Sequence, residues 1–157
     1  MEEGLISVEE IQKQTDLADI ITAQFGDGKW KANNLSALAL AYIGDCIYDL
    51  IIRTVITTHE GGSNKNLHRS CIKYVNAASQ ARLIEAIQPD LTEQEDAVFH
   101  RGRNAKSATS AKNASIVDYR KATGLEALVG YLYLEKQYER LVELVKLGLT
   151  RSGQLEV

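Results

Sequence analysis

The sequence predicts a compact domain built entirely from α-helices. Apolar residues recur with little strict alternation, Pro89 is the only proline, and capping residues stand before several apolar stretches. With 157 residues the chain can form one domain with a substantial core, but it is short for two.

The first predicted helices lie on either side of a link that contains glycine. A short amphipathic helix is expected over about residues 8–25, and residues 26–34 form the link. Ser36 is a suitable N-cap for a long helix that continues to about His59, where the Glu-Gly-Gly sequence at residues 60–62 ends it. At about 1.5 Å per residue this helix is roughly 35 Å long, which is enough to cross the domain.

The next helix opens at Ser63 or Asn64 and continues, with or without a break, until Pro89 stops it. Thr92 and Glu95 have the spacing of a capping box, which predicts the start of another helix.

Two helices are predicted after that one. Residues 107–114 form a polar loop, and Ser115 then caps a helix that continues to about Lys136. The last helix is expected over about residues 138–149.

The domain is expected to span residues 35–149, with a partly helical N-terminal extension at residues 1–34 and a flexible tail at residues 150–157. The acidic N-terminus lacks the features of a secretion signal, and no apolar run is long enough to span a membrane, so a cytoplasmic location is expected. Cys46 and Cys71 each lie in an apolar stretch and are expected to be buried thiols.

The net charge of −3 hides a basic segment. Residues 101–121 contain six arginine and lysine residues against Asp118 alone. Such a face can hold a polyanion although the whole protein is acidic, and a solvated basic surface without a partner explains the segment equally well.

Asp45 interrupts residues 38–52, a stretch that is apolar almost all round and is therefore expected in the centre of the domain. An ionised carboxylate there is costly unless a cation lies beside it. That cation is either a metal ion or a buried arginine or lysine. Asp49 lies one turn further along on the same face.

Glu126 is the only charge in residues 125–134. Thr123 and Glu126 also have capping-box spacing, so Glu126 either closes the start of a helix or lies within a longer helix that begins after Ser115. In the longer helix Gly130 is a close-packing position.

Two isolated carboxylates on separate buried helices suggest a site for a hard cation. Mg²⁺ is usually held by one or two carboxylates, with water and substrate phosphate completing its coordination. Such a site suits phosphodiester hydrolysis. The phosphate-binding, dinucleotide-binding and zinc-protease motifs are all absent from the sequence.

Several segments resemble one known family. Residues 40–48 resemble the signature helix of the ribonuclease III family, which is centred on an apolar-Gly-Asp triplet, and residues 60–61 match the end of that helix. Residues 124–134 look like the family's second catalytic helix, and residues 101–106 are closest to the Mini-III subfamily, a ribonuclease III domain standing alone. The resemblance covers roughly residues 35–149, with the motifs in the right order.

The resemblance fails at two positions. In full-length ribonuclease III enzymes two further carboxylates complete the site, and this chain has Ala41 and Thr123 in their places. The number of metal ions is therefore open, with Asp49 as a candidate substitute ligand.

The resemblance implies a homodimeric endoribonuclease that uses Mg²⁺, or Mn²⁺ as a substitute, to cut both strands of double-stranded RNA and leave 5′-phosphate ends. Asp45 and Glu126 are its implied catalytic and metal-binding residues. The implied substrate is the stem of precursor large-subunit (23S) ribosomal RNA, with a ribosomal protein as a candidate helper. The candidate RNA-binding residues, suited to phosphates and sugar hydroxyls, are Arg101, Arg103, Asn104, Lys106, Lys112 and Asn113.

Two other functions are consistent with the residues. A non-catalytic protein that binds double-stranded RNA or the ribosome, on the same fold, is motivated by the reduced set of carboxylates. A helical dimerisation or adaptor module ranks last, because it leaves the order of the motifs unexplained.

Overall fold

A computed structural model of the chain describes residues 16–106 and 115–155. The regular secondary structure in these two ranges consists of helices, with no β-strand. This confirms the prediction of an all-helical protein. The helices are α1 (Leu17–Phe25), α2 (Ala37–Glu60), α3 (Asn64–Val75), α4 (Ala77–Ile87), a 3₁₀ turn (Gln88–Asp90), α5 (Glu93–Asn104), α6 (Ile116–Leu134) and α7 (Tyr138–Arg151). None of the described helices combines the length and apolar character that a membrane span requires.

The chain divides into two compact units, residues 1–31 and residues 32–157. The first contains α1, which begins at a capping box formed by Asp16 and Asp19. The helix was predicted to start near residue 8, which lies outside the described residues. The second unit contains the other six described helices.

The predicted N-caps are in place, because each of these side chains accepts a hydrogen bond from a backbone amide three residues on: Ser36, Ser63, Thr92 and Ser115. The helix predicted between residues 63 and 88 is broken at Asn76. This residue ends α3 and also caps α4, where its Oδ1 accepts from the backbone amide of Ser79 at 2.9 Å.

The C-terminal segment differs from the flexible tail that was predicted. The last helix continues to Arg151, and Leu155 packs against the core. The Gln154 side chain donates a hydrogen bond to the carbonyl of Ser79 at 3.0 Å. Residues 150–155 are therefore attached to the domain.

The central helix is α6, which packs against α2, α4, α5 and α7. Nine of its residues, all between Ala122 and Leu132, are buried, as expected for a helix that is apolar on all sides. The helix α2 does not follow this pattern. It buries one face only, and on the other Tyr42 is 85% exposed and Leu50 is 53% exposed, so the expectation of a fully central α2 is wrong for the single chain.

Two glycines allow α2 and α6 to cross with their backbones in direct contact. A Cβ added to Gly44 would overlap the main-chain carbonyl of Glu126 and would lie 2.8 Å from the backbone nitrogen of Gly130. A Cβ added to Gly130 would overlap the carbonyl of Leu40. Only residues without a side chain permit this approach, and the crossing lies immediately beside Asp45 and Glu126 in the sequence.

A second crossing of the same kind joins α5 to α6. A Cβ on Gly102 would meet the Cα of Gly124 at 2.8 Å, and a Cβ on Gly124 would meet the ring of Phe99 at 2.6 Å. The C-terminal end of α5, which carries Arg101 and Arg103, is thereby held against the helix that carries Glu126.

Candidate active site

A cavity of about 640 Å³ lies between α2, α6 and the junction of α3 with α4. Asp45 and Glu126 both line it, so the structure brings the two predicted site residues together. They are 81 positions apart in the sequence, and the glycine crossing of α2 and α6 is what places their helices side by side.

The two carboxylates differ in burial. Asp45 is exposed in the single chain, which corrects the expectation of a buried aspartate, whereas Glu126 is partly buried. Burial raises the pKa of Glu126 to about 8, and the negative charges of Asp45 and Asp49 add to the effect. The pKa of Asp45 is also raised, first by burial of part of the carboxyl and then by Asp49.

No basic side chain of the described residues forms an ion pair with these carboxylates. In residues 16–106 and 115–155, no arginine, lysine or histidine lies within salt-bridge distance of Asp45, Asp49 or Glu126. The alternative of an Asp45 paired with a buried basic residue is therefore excluded for this part of the chain. What remains is a cavity with two acidic groups, both with a pKa raised first by burial and then by neighbouring negative charge.

The interpretation of Glu126 as a capping residue is wrong. The helix α6 begins at Ile116 after Ser115, so Glu126 lies in its middle. The hydroxyl of Thr123 donates to the carbonyl of Tyr119 at 3.0 Å, a bond within the helix, and caps nothing.

The two positions at which the resemblance fails, Ala41 and Thr123, both line the cavity. A carboxylate at either position would be part of the same acidic group. Asp49 does not line it, and the described residues contain no group of three or more histidine, cysteine, aspartate or glutamate side chains able to hold one ion. The site therefore offers a pair of carboxylates, with Asp49 acting on them through its charge.

Two features of the cavity differ from expectation or were not expected at all. Cys46 was predicted to be buried but is exposed and lines the cavity, because it follows Asp45 on the side of α2 that faces away from the core. Gln80, on α4, lines the cavity and is only 3% exposed. Its sequence neighbours gave no sign of a site. Cys71 is buried as predicted.

The candidate RNA-binding residues lie at and beyond the C-terminal end of α5. Arg101, Asn104 and Lys106 are exposed, while Arg103 is partly covered: its guanidinium lies 5.7 Å from the centre of the Phe99 ring, and its Nε donates to Asn104 Oδ1 at 3.3 Å. The other two candidates, Lys112 and Asn113, lie outside the described residues. In the same basic segment Lys121 forms an ion pair with Glu85.

A family model described as "Ribonuclease III domain" matches residues 38–137, a range that includes both Asp45 and Glu126. Mini-ribonuclease 3 of Clostridium tetani is 49% identical over 120 residues, which is 76% of this chain and 80% of the relative. Mini-ribonuclease 3 of Enterococcus faecalis is 46% identical over 122 residues, which is 76% of this chain and 92% of the relative.

The fold itself has a solved counterpart. A crystal structure of a protein from Fusobacterium nucleatum is 30% identical, with a TM-score of 0.71, and the match covers 80% of this chain and 100% of that one. The chain belongs to the ribonuclease III family, and within it to the Mini-ribonuclease 3 group. The prediction of an endoribonuclease for double-stranded RNA is confirmed at the level of the family.

The raised pKa of Glu126 predicts a pH-dependent stability. The unfolded carboxyl titrates near 4.5 and the folded one near 8, so between these values the folded chain binds the extra proton and the free energy of unfolding falls as the pH rises. From about pH 5 to about pH 8, metal-free protein should lose about 3–4 kcal/mol more than Glu126→Gln does. Urea unfolding in EDTA measures this difference, and equal losses in the two proteins would contradict it.

Proposed function

We propose that the chain hydrolyses phosphodiester bonds in both strands of double-stranded RNA, leaving 5′-phosphate and 3′-hydroxyl ends, with Mg²⁺ held by Asp45 and Glu126. Mn²⁺ is proposed as a substitute. The observation that carries the proposal is the pair of carboxyl groups that line one cavity between α2 and α6 and that no basic side chain of the described residues pairs with.

The donor set fits a hard divalent cation. Carboxylate oxygens are preferred ligands of Mg²⁺, and two of them leave positions for water and phosphate. Without a cation the Glu126 carboxyl holds a proton at neutral pH, because ionising it beside Asp45 and Asp49 is unfavourable. A divalent cation reverses the sign of this interaction and favours the ionised form.

The chain's own residues perform the positioning. When bound, the cation acts as a Lewis acid at the phosphate and offsets the charge that develops there. Glu126 is fixed by the buried helix α6, while Asp45 stands on the exposed side of α2, where a polyanion can approach. We propose that the negative charge of Asp49 raises the affinity of the site for cations.

The RNA is proposed to lie along the end of α5, where Arg101, Arg103 and Lys106 meet phosphates and Asn104 meets sugar hydroxyls. Lys112 and Asn113 are proposed to extend this surface. The close packing of α5 against α6 at Gly102 and Gly124 supports this placement, because it holds the end of α5 against the helix that carries Glu126.

A charge-removal series tests this surface. A plot of log affinity against log salt concentration has a negative slope, because each phosphate contact releases counterions. Replacing Arg101 or Lys106 by glutamine should make this slope less steep by somewhat under one unit each. The matched control is Lys146→Gln on α7, a helix that contributes nothing to the cavity. Filter binding of a short RNA duplex measures the slopes, and unchanged slopes in both variants would remove these residues from the surface.

A homodimer is proposed as the active form, in which two copies present one site to each strand. The exposed apolar residues of α2, including Leu38, Tyr42 and Leu50, support it, since they form a face that a second copy can cover. The natural substrate is proposed to be the stem of precursor 23S ribosomal RNA in the cytoplasm, with a ribosomal protein as helper. What supports these last assignments is the family resemblance.

The proposal is tested by incubating an end-labelled RNA duplex with the protein in Mg²⁺, in Mn²⁺ and in EDTA. Cuts in both strands that require the cation are expected. A duplex that is bound but remains whole under all conditions, including a duplex copied from a ribosomal RNA stem, would favour the non-catalytic RNA-binding protein instead.

A further inference from the structure

The cavity of Asp45 and Glu126 contains a polar group that the proposed reaction does not yet use. Gln80 is 3% exposed and lines this cavity. Within the described ranges 16–106 and 115–155, its carboxamide has no hydrogen-bond partner, although its backbone amide donates to the carbonyl of Asn76 at 3.1 Å. The carboxamide is not sealed off from solvent, so inside the cavity its hydrogen-bonding groups are open to water or to a ligand that replaces water.

The position of Gln80 is fixed from several directions. Asn76 caps the start of α4, and the Ser79 hydroxyl donates to the carbonyl of Lys73 at 2.7 Å. Gln154 donates to the carbonyl of Ser79 from the C-terminal segment. A side chain held on such a rigid turn can offer its hydrogen bonds without reorganising the backbone.

The chemistry of the cavity decides what the partner is. Two carboxylates there repel anions and take up a cation, and the Thr123 hydroxyl is already engaged with the carbonyl of Tyr119. A carboxamide is neutral and offers two N–H donors and one acceptor. It therefore suits the oxygens of a sugar–phosphate backbone in a site whose charges are balanced by a cation.

We propose that Gln80 is a substrate-contacting residue, whose carboxamide donates a hydrogen bond to a sugar–phosphate oxygen of the RNA strand being cut. The inference rests on the proposed function, because it needs RNA in this cavity. It adds a third element to the site: α2 and α6 supply the carboxylates and the junction of α3 with α4 supplies the amide.

Gln80→Met keeps the approximate size of the side chain and removes its hydrogen bonds. Its kcat/KM on an RNA duplex should fall about 10- to 100-fold, the range expected for a lost hydrogen bond to a charged or strongly polar oxygen. The matched control is Gln88→Met at the end of the same helix, which does not line this cavity. Thermal unfolding of both variants shows whether the fold is kept.

A cycle with modified RNA separates contact from structural support. The duplex carries a single 2′-deoxy or a single phosphorothioate change at the bond that the wild-type protein cuts. If Gln80 touches the RNA, the effect of Gln80→Met and that of one of these two changes are not additive, and the change concerned identifies the oxygen. Additive effects with both changes, or an unaltered kcat/KM, would overturn the inference while the proposed function stands. A wild-type protein that cuts no duplex would overturn both.

Discussion

Replacing Glu126 by glutamine is expected to abolish cleavage of double-stranded RNA while leaving the protein folded. The amide keeps the shape of the side chain but cannot carry the charge that holds a cation between α2 and α6. The single-turnover rate should fall at least about 1,000-fold, because a bound metal contributes several kcal/mol to stabilising the transition state. Mg²⁺ should no longer raise the melting temperature.

The design of this test separates catalysis from binding. Measured in EDTA, the affinity for the RNA duplex should be unchanged in Glu126→Gln, because without a cation the Glu126 carboxyl holds a proton and is as neutral as the amide that replaces it. Glu135→Gln, at the exposed end of the same helix, is the matched control and should cleave like the wild type. A Glu126→Gln protein that cleaves within tenfold of the wild-type rate would remove this residue from the catalytic site.

The glycine crossing predicts an equally large effect on stability. Gly44→Ala would place a methyl group inside the main-chain carbonyl of Glu126, and neither helix can yield by moving a side chain. The cost should be about 3–5 kcal/mol, which belongs to the rare, large effects of single substitutions. Any protein that still folds must hold its two helices further apart, so cleavage should also fall by about 100-fold.

Gly28→Ala provides the comparison for this substitution. Nothing lies within 4 Å of a Cβ at Gly28, and its φ is not in the left-handed region, so the change should be neutral or slightly stabilising. Chemical unfolding and single-turnover cleavage measure both variants. The close crossing would have no energetic importance if Gly44→Ala unfolded at the same urea concentration as Gly28→Ala.

The elements that could be predicted from the sequence are those with local causes. Ser36 and Ser115 cap helices through bonds to amides three residues away, and this spacing is visible in the chain itself. Asp45 and Glu126 could be selected because a charge in an apolar run is costly wherever the run packs.

The features that could not be predicted depend on contacts between distant segments. Gln80 is part of the site only because the junction of α3 with α4 meets α2 and α6, and nothing near it in the sequence marks that meeting. The partner of Glu95 is a similar case: the capping box with Thr92 was predicted, but the two bonds from Arg140, at 2.9 and 3.0 Å, come from 45 residues away.

The exposure of Asp45 and Cys46 was predicted wrongly for a different reason. An apolar helix face looks the same in sequence whether it packs inside its own domain or remains available to another molecule. The residues of α2 next to Asp45 include Tyr42, which is apolar in its ring yet 85% exposed. The pattern therefore predicted burial correctly for only one side of α2.

The contact of Gly102 with Gly124 has a consequence for where the RNA is cut. If Arg101 and Lys106 hold phosphates as proposed, the span from the held phosphate to the cut bond is set by backbone packing between α5 and α6. Removing the Arg101 side chain should then weaken RNA binding and slow cleavage without moving the position of the cut. Adding a methyl group at Gly102 should instead shift the position of the cut along the duplex. The packing of the two helices would therefore fix the distance, counted in nucleotides, between the bound phosphate and the bond that is cut.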